Sequence, residues 1–244
     1  SLFARPYDRT FVSLTLSRTE RAPTDVEVFA FGPHAATETF EIGALDLGVE
    51  TAWSLEATAR WSLDRVSGEA SVFHADYDGF IGLFPTGAEE DGLDVFEYRQ
   101  ADAGLTGFEI AGDVDLGRMA GWAFNADGAV DHVAGELDGG GNLPRIPPLS
   151  GLFGLEAERG IWSLRGETRL VAEQDETAAF ETATDGYALF NASAEIRPYP
   201  GHDLSIIVGV RNITDEDARV HTSFLKDQLP LPGRNVRLAI RAGF

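Results

Sequence analysis

Five histidines, His34, His74, His132, His202 and His221, are the side chains of this sequence best suited to bind a metal or move a proton. No two of them take the His-x-His or His-x3-His spacing that lets neighbouring imidazoles share one ion. Asp131-His132 sets a carboxylate beside an imidazole, an arrangement that can orient a general base. On an extended chain, however, adjacent side chains point to opposite faces, so the pair is expected to diverge. Glu89-Glu90-Asp91 and Asp175-Glu176 read as solvated acidic loop tips. Gly139-Gly140-Gly141 after Asp138 reads as a flexible turn. Neither a Gly-x-Ser-x-Gly nucleophile motif nor a phosphate loop is present. Cysteine is absent, which excludes a disulfide framework, a thiolate zinc site and a cysteine nucleophile.

The 40 acidic and 19 basic side chains leave a formal charge of −21. Such a balance repels nucleic acid, so no nucleic-acid partner is expected. No run of about 18 apolar residues exists, which removes a membrane-spanning helix but not a membrane-spanning strand.

The elements that must position these residues alternate with period two. Ten segments do so: Phe11–Ser17, Glu50–Trp61, Phe73–Ile81, Phe108–Leu116, Trp122–His132, Leu149–Leu155, Trp162–Leu170, Ala188–Ile196, Leu204–Arg211 and Val236–Phe244. In the last, Val236, Leu238, Ile240, Ala242 and Phe244 share one face and Arg237 and Arg241 the other. Phe73, Ala75, Tyr77 and Ile81 form a greasy face opposite His74, Asp76 and Asp78, and a bulge is expected near Gly107. Charges such as Glu56, Arg60, Arg165, Glu167, Arg169, Glu195, Arg197 and Arg211 occupy the polar faces.

Short connections (Leu63–Gly68, Asp115–Ala120, Ala157–Gly160, Tyr199–Asp203) alternate with long ones (Arg18–Ala44, Leu83–Leu93, Val133–Pro148, Glu173–Gly186, Asn212–Asn235). A soluble sandwich explains the alternating faces but not this parity. An all-β, antiparallel up-and-down transmembrane barrel explains both, with lipid on the greasy faces and a lumen on the charged ones. Aromatics near the strand ends, among them Trp53, Trp61, Tyr77, Trp122, Trp162, Tyr187 and Tyr199, suit interfacial girdles. Asn212 and Asp215 read as turn formers.

Three stretches resemble the C-terminal half of a TonB-dependent outer-membrane receptor. The first runs from Ser17-Arg18-Thr19-Glu20-Arg21-Ala22-Pro23 through Phe31-Gly32-Pro33-His34 to Phe40-Glu41-Ile42-Gly43. The second is Asn142-Leu143-Pro144-Arg145-Ile146-Pro147-Pro148. The third joins Val210-Arg211-Asn212-Ile213-Thr214-Asp215-Glu216, His221-Thr222-Ser223-Phe224-Leu225-Lys226-Asp227 and Pro232-Gly233-Arg234-Asn235 to the final strand. The resemblance implies a 22-stranded barrel filled by a plug domain and coupled to TonB, of which residues 1–244 are a partial barrel without the plug. The start, with no initiator Met and no signal peptide, leads to the same expectation of a piece of something longer. The resemblance further implies the bacterial outer membrane, a lipid environment and uptake of a scarce nutrient, with no catalytic residue and no resident cofactor.

The Gly32-Pro33-His34 neighbourhood and the stretch from Asp78-Gly79-Phe80-Ile81 to Asp91-Gly92 resemble the zinc-uptake branch. On that resemblance His34 and Glu41 in one outer loop and His221 in another are the candidate metal contacts. Zinc, an iron chelate or another small nutrient is the expected cargo. A self-contained ten-stranded barrel enzyme or porin is the alternative, its rim chemistry drawn from His34, His221, Glu41, Asp215 or Asp217; a soluble all-β domain is a third.

Overall fold

The computed structural model describes residues 1–179, 181–199, 201 and 203–243; His202 and the terminal aromatic Phe244 lie outside the described residues. The elements are β1 (Leu2–Ala4), β2 (Thr10–Arg21), α1 (Asp25–Phe29), β3 (Phe31–His34), β4 (Thr39–Ile42), β5 (Glu50–Ser62), β6 (Val66–Glu90), β7 (Leu93–Met119), β8 (Trp122–Leu137), β9 (Ser150–Arg159), β10 (Trp162–Val171), β11 (Tyr187–Ile196), β12 (Leu204–Arg211) and β13 (Asn235–Ala242). All thirteen strands join one sheet, in the order β1-β2-β5-β6-β7-β8-β9-β10-β11-β12-β13, with β3 and β4 off that path. Every pairing along the path is antiparallel, and every one joins chain neighbours except β2–β5, which steps over α1 and the β3–β4 hairpin. This is an up-and-down barrel wall. It is not closed, because β1 and β13 do not pair with each other among the described residues.

All ten anticipated strands are present, and three short ones, β1, β3 and β4, were not anticipated. The turns between them follow local chemistry. Ala120-Gly121 joins β7 to β8 with both residues at positive φ (53° and 83°), a two-residue turn that matches strand twist. Gly160, at φ 59°, opens the two-residue turn between β9 and β10.

Register assigns the faces. On β5 the side of Trp53, Leu55, Ala57, Ala59 and Trp61 is continued by Ala70 and Val72 on β6 and by Phe108 and Ile110 on β7. On the later strands Phe153, Leu164, Phe190, Val208 and Leu238 share the same side. Trp53, Leu55, Val72, Ile110, Phe153, Leu164, Val208 and Leu238 are all exposed, so this greasy face has no protein to cover it. Trp53 and Trp61 stand eight residues apart on one strand, about 26 Å at 3.3 Å per residue, close to the apolar height of a membrane barrel.

The other face is polar and largely satisfied within itself. Arg60 pairs with Glu69 on the neighbouring strand. Arg165 on β10 reaches across β9 to grip both oxygens of Asp127 on β8, at 2.6 and 2.8 Å. Gly154 stands between them, and a Cβ there would sit 2.6 Å from Asp127 Oδ1, so the glycine opens the path of the ion pair.

Three sequence expectations are corrected. Leu83–Leu93 is not a long loop: β6 and β7 continue to a two-residue turn, Asp91-Gly92, both at positive φ (53° and 79°). Gly107 carries no bulge: it pairs in unbroken register with Phe73 and Val133, and the irregularities in these pairings lie between Tyr77 and Phe80, between Pro85 and Glu89, and between Asp115 and Gly117. The greasy set Phe73, Ala75 and Tyr77 faces inward, because these residues pair with Glu56, Ser54 and Ala52 on the inner side of β5. A Cβ on Gly107 would overlap the Phe73 ring, so that glycine makes room for an aromatic on the inner wall. His74 and Asp76 therefore point outward, His74 bonded to Thr106 at 2.7 Å and to Asp76 at 3.1 Å. Asp131 and His132 do diverge: Asp131 accepts from Ser150 at 2.8 Å, while the His132 ring lies beside Phe108 at 5.9 Å.

Candidate functional site

The long connections gather at one end of the wall, the end where β2 finishes and β5 starts. Thr24-Asp25-Val26-Glu27 is a capping box: Thr24 Oγ1 accepts from the Glu27 N–H at 3.4 Å, and Glu27 accepts from the Thr24 N–H at 2.6 Å. This signal is readable in the sequence and accounts for α1, which was not anticipated. Arg21, the last residue of β2, anchors that helix. Its guanidinium donates to Glu27 at 2.8 and 2.9 Å and to Glu50 at 2.8 and 3.2 Å. Burial pushes the Glu27 carboxyl up, but the hydrogen bonds from Arg21 and from Thr24 outweigh it and hold the group below the usual carboxylate range.

Beyond α1, β3 and β4 form a hairpin whose second strand adds in parallel to β7, from Thr39 opposite Asp94 to Ile42 opposite Glu97. The hairpin brings His34 and Glu41 together. His34 Nδ1 lies 2.8 Å from Thr37 Oγ1 and 3.4 Å from Glu41 Oε1, and Thr37 also donates to Glu41 at 3.3 Å. Glu41 is buried, while His34 keeps 46 % of its side chain exposed. Tyr98, on the projecting part of β7, is the neighbour that sequence reading missed. Desolvation, then the charges of Glu41 and Glu27, raise its phenol above the ordinary value.

His221 lies in a different cluster. It is 3 % exposed, with Nε2 3.2 Å from Glu181 Oε1 and Nδ1 3.0 Å from Thr184 Oγ1. Lys226, 6 % exposed, places Nζ 3.4 Å from the same Glu181 oxygen and 2.5 Å from the Thr182 carbonyl, to which it donates. Desolvation and the Lys226 charge lower the His221 pKa, against the opposing pull of Glu181. Asp227 accepts from Thr182 at 2.8 and 2.9 Å. The β12–β13 connection is thus fastened onto the β10–β11 connection by buried charge.

Phe224 joins the two clusters. The Arg145 guanidinium sits 4.1 Å from its ring centre, the His34 ring approaches it at 6.0 Å, and the Arg145 N–H donates to Glu181 at 3.0 Å. Gln228 donates to Glu38 at 3.1 Å across 190 residues of sequence. His34, Glu41 and His221 therefore do not form one coordination sphere: two share the β3–β4 hairpin, and the third seats a neighbouring loop. Among the described residues no group of three or more His, Cys, Asp or Glu is arranged to hold a metal ion. Asn212 and Asp215 stand at positive φ (50° and 61°), Asn212 bonded to Glu216 at 2.8 Å and Asp215 to the Arg234 N–H at 2.7 Å, as turn formers do.

An antiparallel wall, greasy outside, charged inside and crowned by loops at one end, is the wall of a membrane β-barrel. The model of the TonB dependent receptor-like β-barrel family matches residues 5–213, and the chain belongs to that family. Solved structures share the fold. "Copper transporter OprC" is 24% identical with a TM-score of 0.78, over 93% of this chain and 36% of its own. The FrpB iron transporter from Neisseria meningitidis is 15% identical with a TM-score of 0.70, over 98% and 37%. The ferric-catecholate import receptor Fiu from E. coli K12 is 15% identical with a TM-score of 0.71, over 99% and 34%. The chain spans about a third of the length of these structures.

Proposed function

We propose that this chain forms the C-terminal barrel wall of an outer-membrane TonB-dependent receptor, and that its loop cluster captures a scarce nutrient, a metal ion or a metal chelate, at the outer face. One observation carries the reading: antiparallel strands from β2 to β13 keep a predominantly greasy outside and a predominantly charged inside, in a chain that belongs to this family. The family consists of receptors and transporters rather than enzymes, so no bond-making chemistry is assigned. Coupling to TonB through a plug domain belongs to the proposal, as does the cargo class, which the copper and iron transporters among the structural neighbours support.

In this reading His34 offers a half-exposed imidazole beside the buried Glu41 carboxylate, one nitrogen and one oxygen of the kinds that zinc or copper takes. His221 contributes by seating the adjoining loop. The test is calorimetric titration of the chain in lipid vesicles with Zn2+, Cu2+ and a ferric catecholate. Saturable binding of one of them, weakened about tenfold or more by His34→Ala or Glu41→Gln, is expected. A protein that stays soluble without detergent and fails to float with vesicles would overturn the membrane reading.

A further inference from the structure

His34 and Glu41 are spaced for a single ion. Two ligands of a tetrahedral ion with bonds of about 2.0–2.2 Å stand about 3.3–3.6 Å apart. His34 Nδ1 stands 3.4 Å from Glu41 Oε1. The match holds for one orientation of the ring. Turning the imidazole over about its Cβ–Cγ bond puts a carbon where Nδ1 stood and takes the nitrogen away from the carboxylate. Within the hairpin the ring is held through Nδ1, which lies 2.8 Å from Thr37 Oγ1. Nδ1 has one in-plane site, so an ion bound there displaces the Thr37 hydroxyl. What keeps the loaded ring in place must then come from outside the hairpin.

Phe224, on the β12–β13 connection, supplies that support. Its ring meets the His34 ring edge to face, with 6.0 Å between centres and 66° between planes, an arrangement that aromatic pairs favour. Phe224 keeps 49 % of its surface exposed, so burial alone does not fix it. Arg145 does: its guanidinium lies 4.1 Å from the Phe224 ring centre. The Arg145 N–H in turn donates to Glu181 at 3.0 Å, the carboxylate that also meets His221 and Lys226. The hairpin turn is tied separately, by the 3.1 Å bond from Gln228 to Glu38. Gln228 therefore holds the hairpin, and Phe224 holds the side chain on it that would meet an ion.

We propose that Phe224, pinned by Arg145, is a positioning residue for metal capture: it keeps the His34 ring turned so that Nδ1 faces an ion shared with Glu41. The proposal rests on the reading of His34 and Glu41 as the metal contacts. Phe224 touches no metal itself.

The test uses the whole chain refolded into lipid vesicles, with insertion read first by flotation and by the far-ultraviolet strand signal. Zn2+ is titrated by calorimetry, and Co2+ in its place reports tetrahedral geometry through its visible absorption. Phe224→Leu should weaken Zn2+ about threefold to tenfold and dim the tetrahedral cobalt bands. Phe224→Tyr keeps the ring and should bind as the wild type does. Hydrogen exchange across residues 218–228 should stay slow in both, because Glu181 still fastens that connection. In a His34→Ala background Phe224→Leu should change nothing further. Undiminished Zn2+ binding by Phe224→Leu overturns the positioning role. Equal weakening by Leu and Tyr, or weakening with fast exchange over residues 218–228, overturns it in favour of plain support for the connection. Undiminished binding by His34→Ala counts against the metal-contact reading and the positioning role together.

Discussion

The wall and the crown of this molecule are built on opposite terms. In the wall, charges stand on an open face and meet partners one or two strands away: Arg60 and Glu69, which pair, keep 60 % and 46 % of their side chains exposed. Where the last two long connections meet in the crown the charges are buried, His221 and Lys226 at 3 % and 6 % exposure, and their shared partner Glu181 comes from another loop some 40 residues away. Exposed pairs contribute little, whereas separating a buried pair leaves a charge stranded in a poor solvent. The wall therefore takes its order from backbone pairing and from the lipid that its greasy face demands. The crown takes its order from a few specific side chains.

That contrast predicts where substitutions hurt. Glu181→Gln leaves Lys226 buried without its counter-charge and should cost about 3 kcal/mol of loop docking. Hydrogen exchange should rise across residues 218–228 while β10 and β11 stay protected. Equal protection in both would show that the crown does not depend on this carboxylate. Val72→Arg, on the outward face midway between the rows of Trp53 and Trp61, should cost about 2–4 kcal/mol of stability in a bilayer. Ser71→Arg, one residue along and facing inward, should change the urea midpoint of the same vesicles far less. Thr24→Ala removes the N-cap of α1 and should cost about 1 kcal/mol, visible as faster exchange over residues 25–30 with the strands unaffected.

The smallest effect is one of pH. The His221 pKa is lowered in the docked loop, so the undocked loop takes up the proton first as pH falls through the ordinary histidine value of 6.5. Docking is complete above that value and weakens below it. Protease cleavage within residues 218–228 should become faster at pH 5.5 than at pH 7.5, and Lys226→Met should reduce the difference, because the lysine charge is part of the cause.

The same contrast explains what was legible in the sequence. Period-two alternation marks each strand locally, so all ten wall strands could be read from it. The inward turn of Phe73, Ala75 and Tyr77 could not, since it depends on register with Glu56 and Ser54 and on the space left by Gly107, 34 residues away. Asp91-Gly92 is a strong hairpin signal, but the polar Glu89-Glu90 before it reads as loop. In the crown, Thr24-x-x-Glu27 was available and His34 with Glu41 could be placed in one loop. The partners of His221 could not be named, because nothing local says that Glu181, Thr184 and Lys226 converge on it.

The most direct test of the account is to ask which face of the strands meets lipid. The chain has no cysteine, so single cysteines at Val72 and Ser71 can be labelled without background. In vesicles, a fluorophore at position 72 should be quenched by a lipid-borne quencher and shielded from an aqueous one, and a fluorophore at position 71 should show the reverse. Equal aqueous quenching at both positions would contradict a membrane-spanning wall.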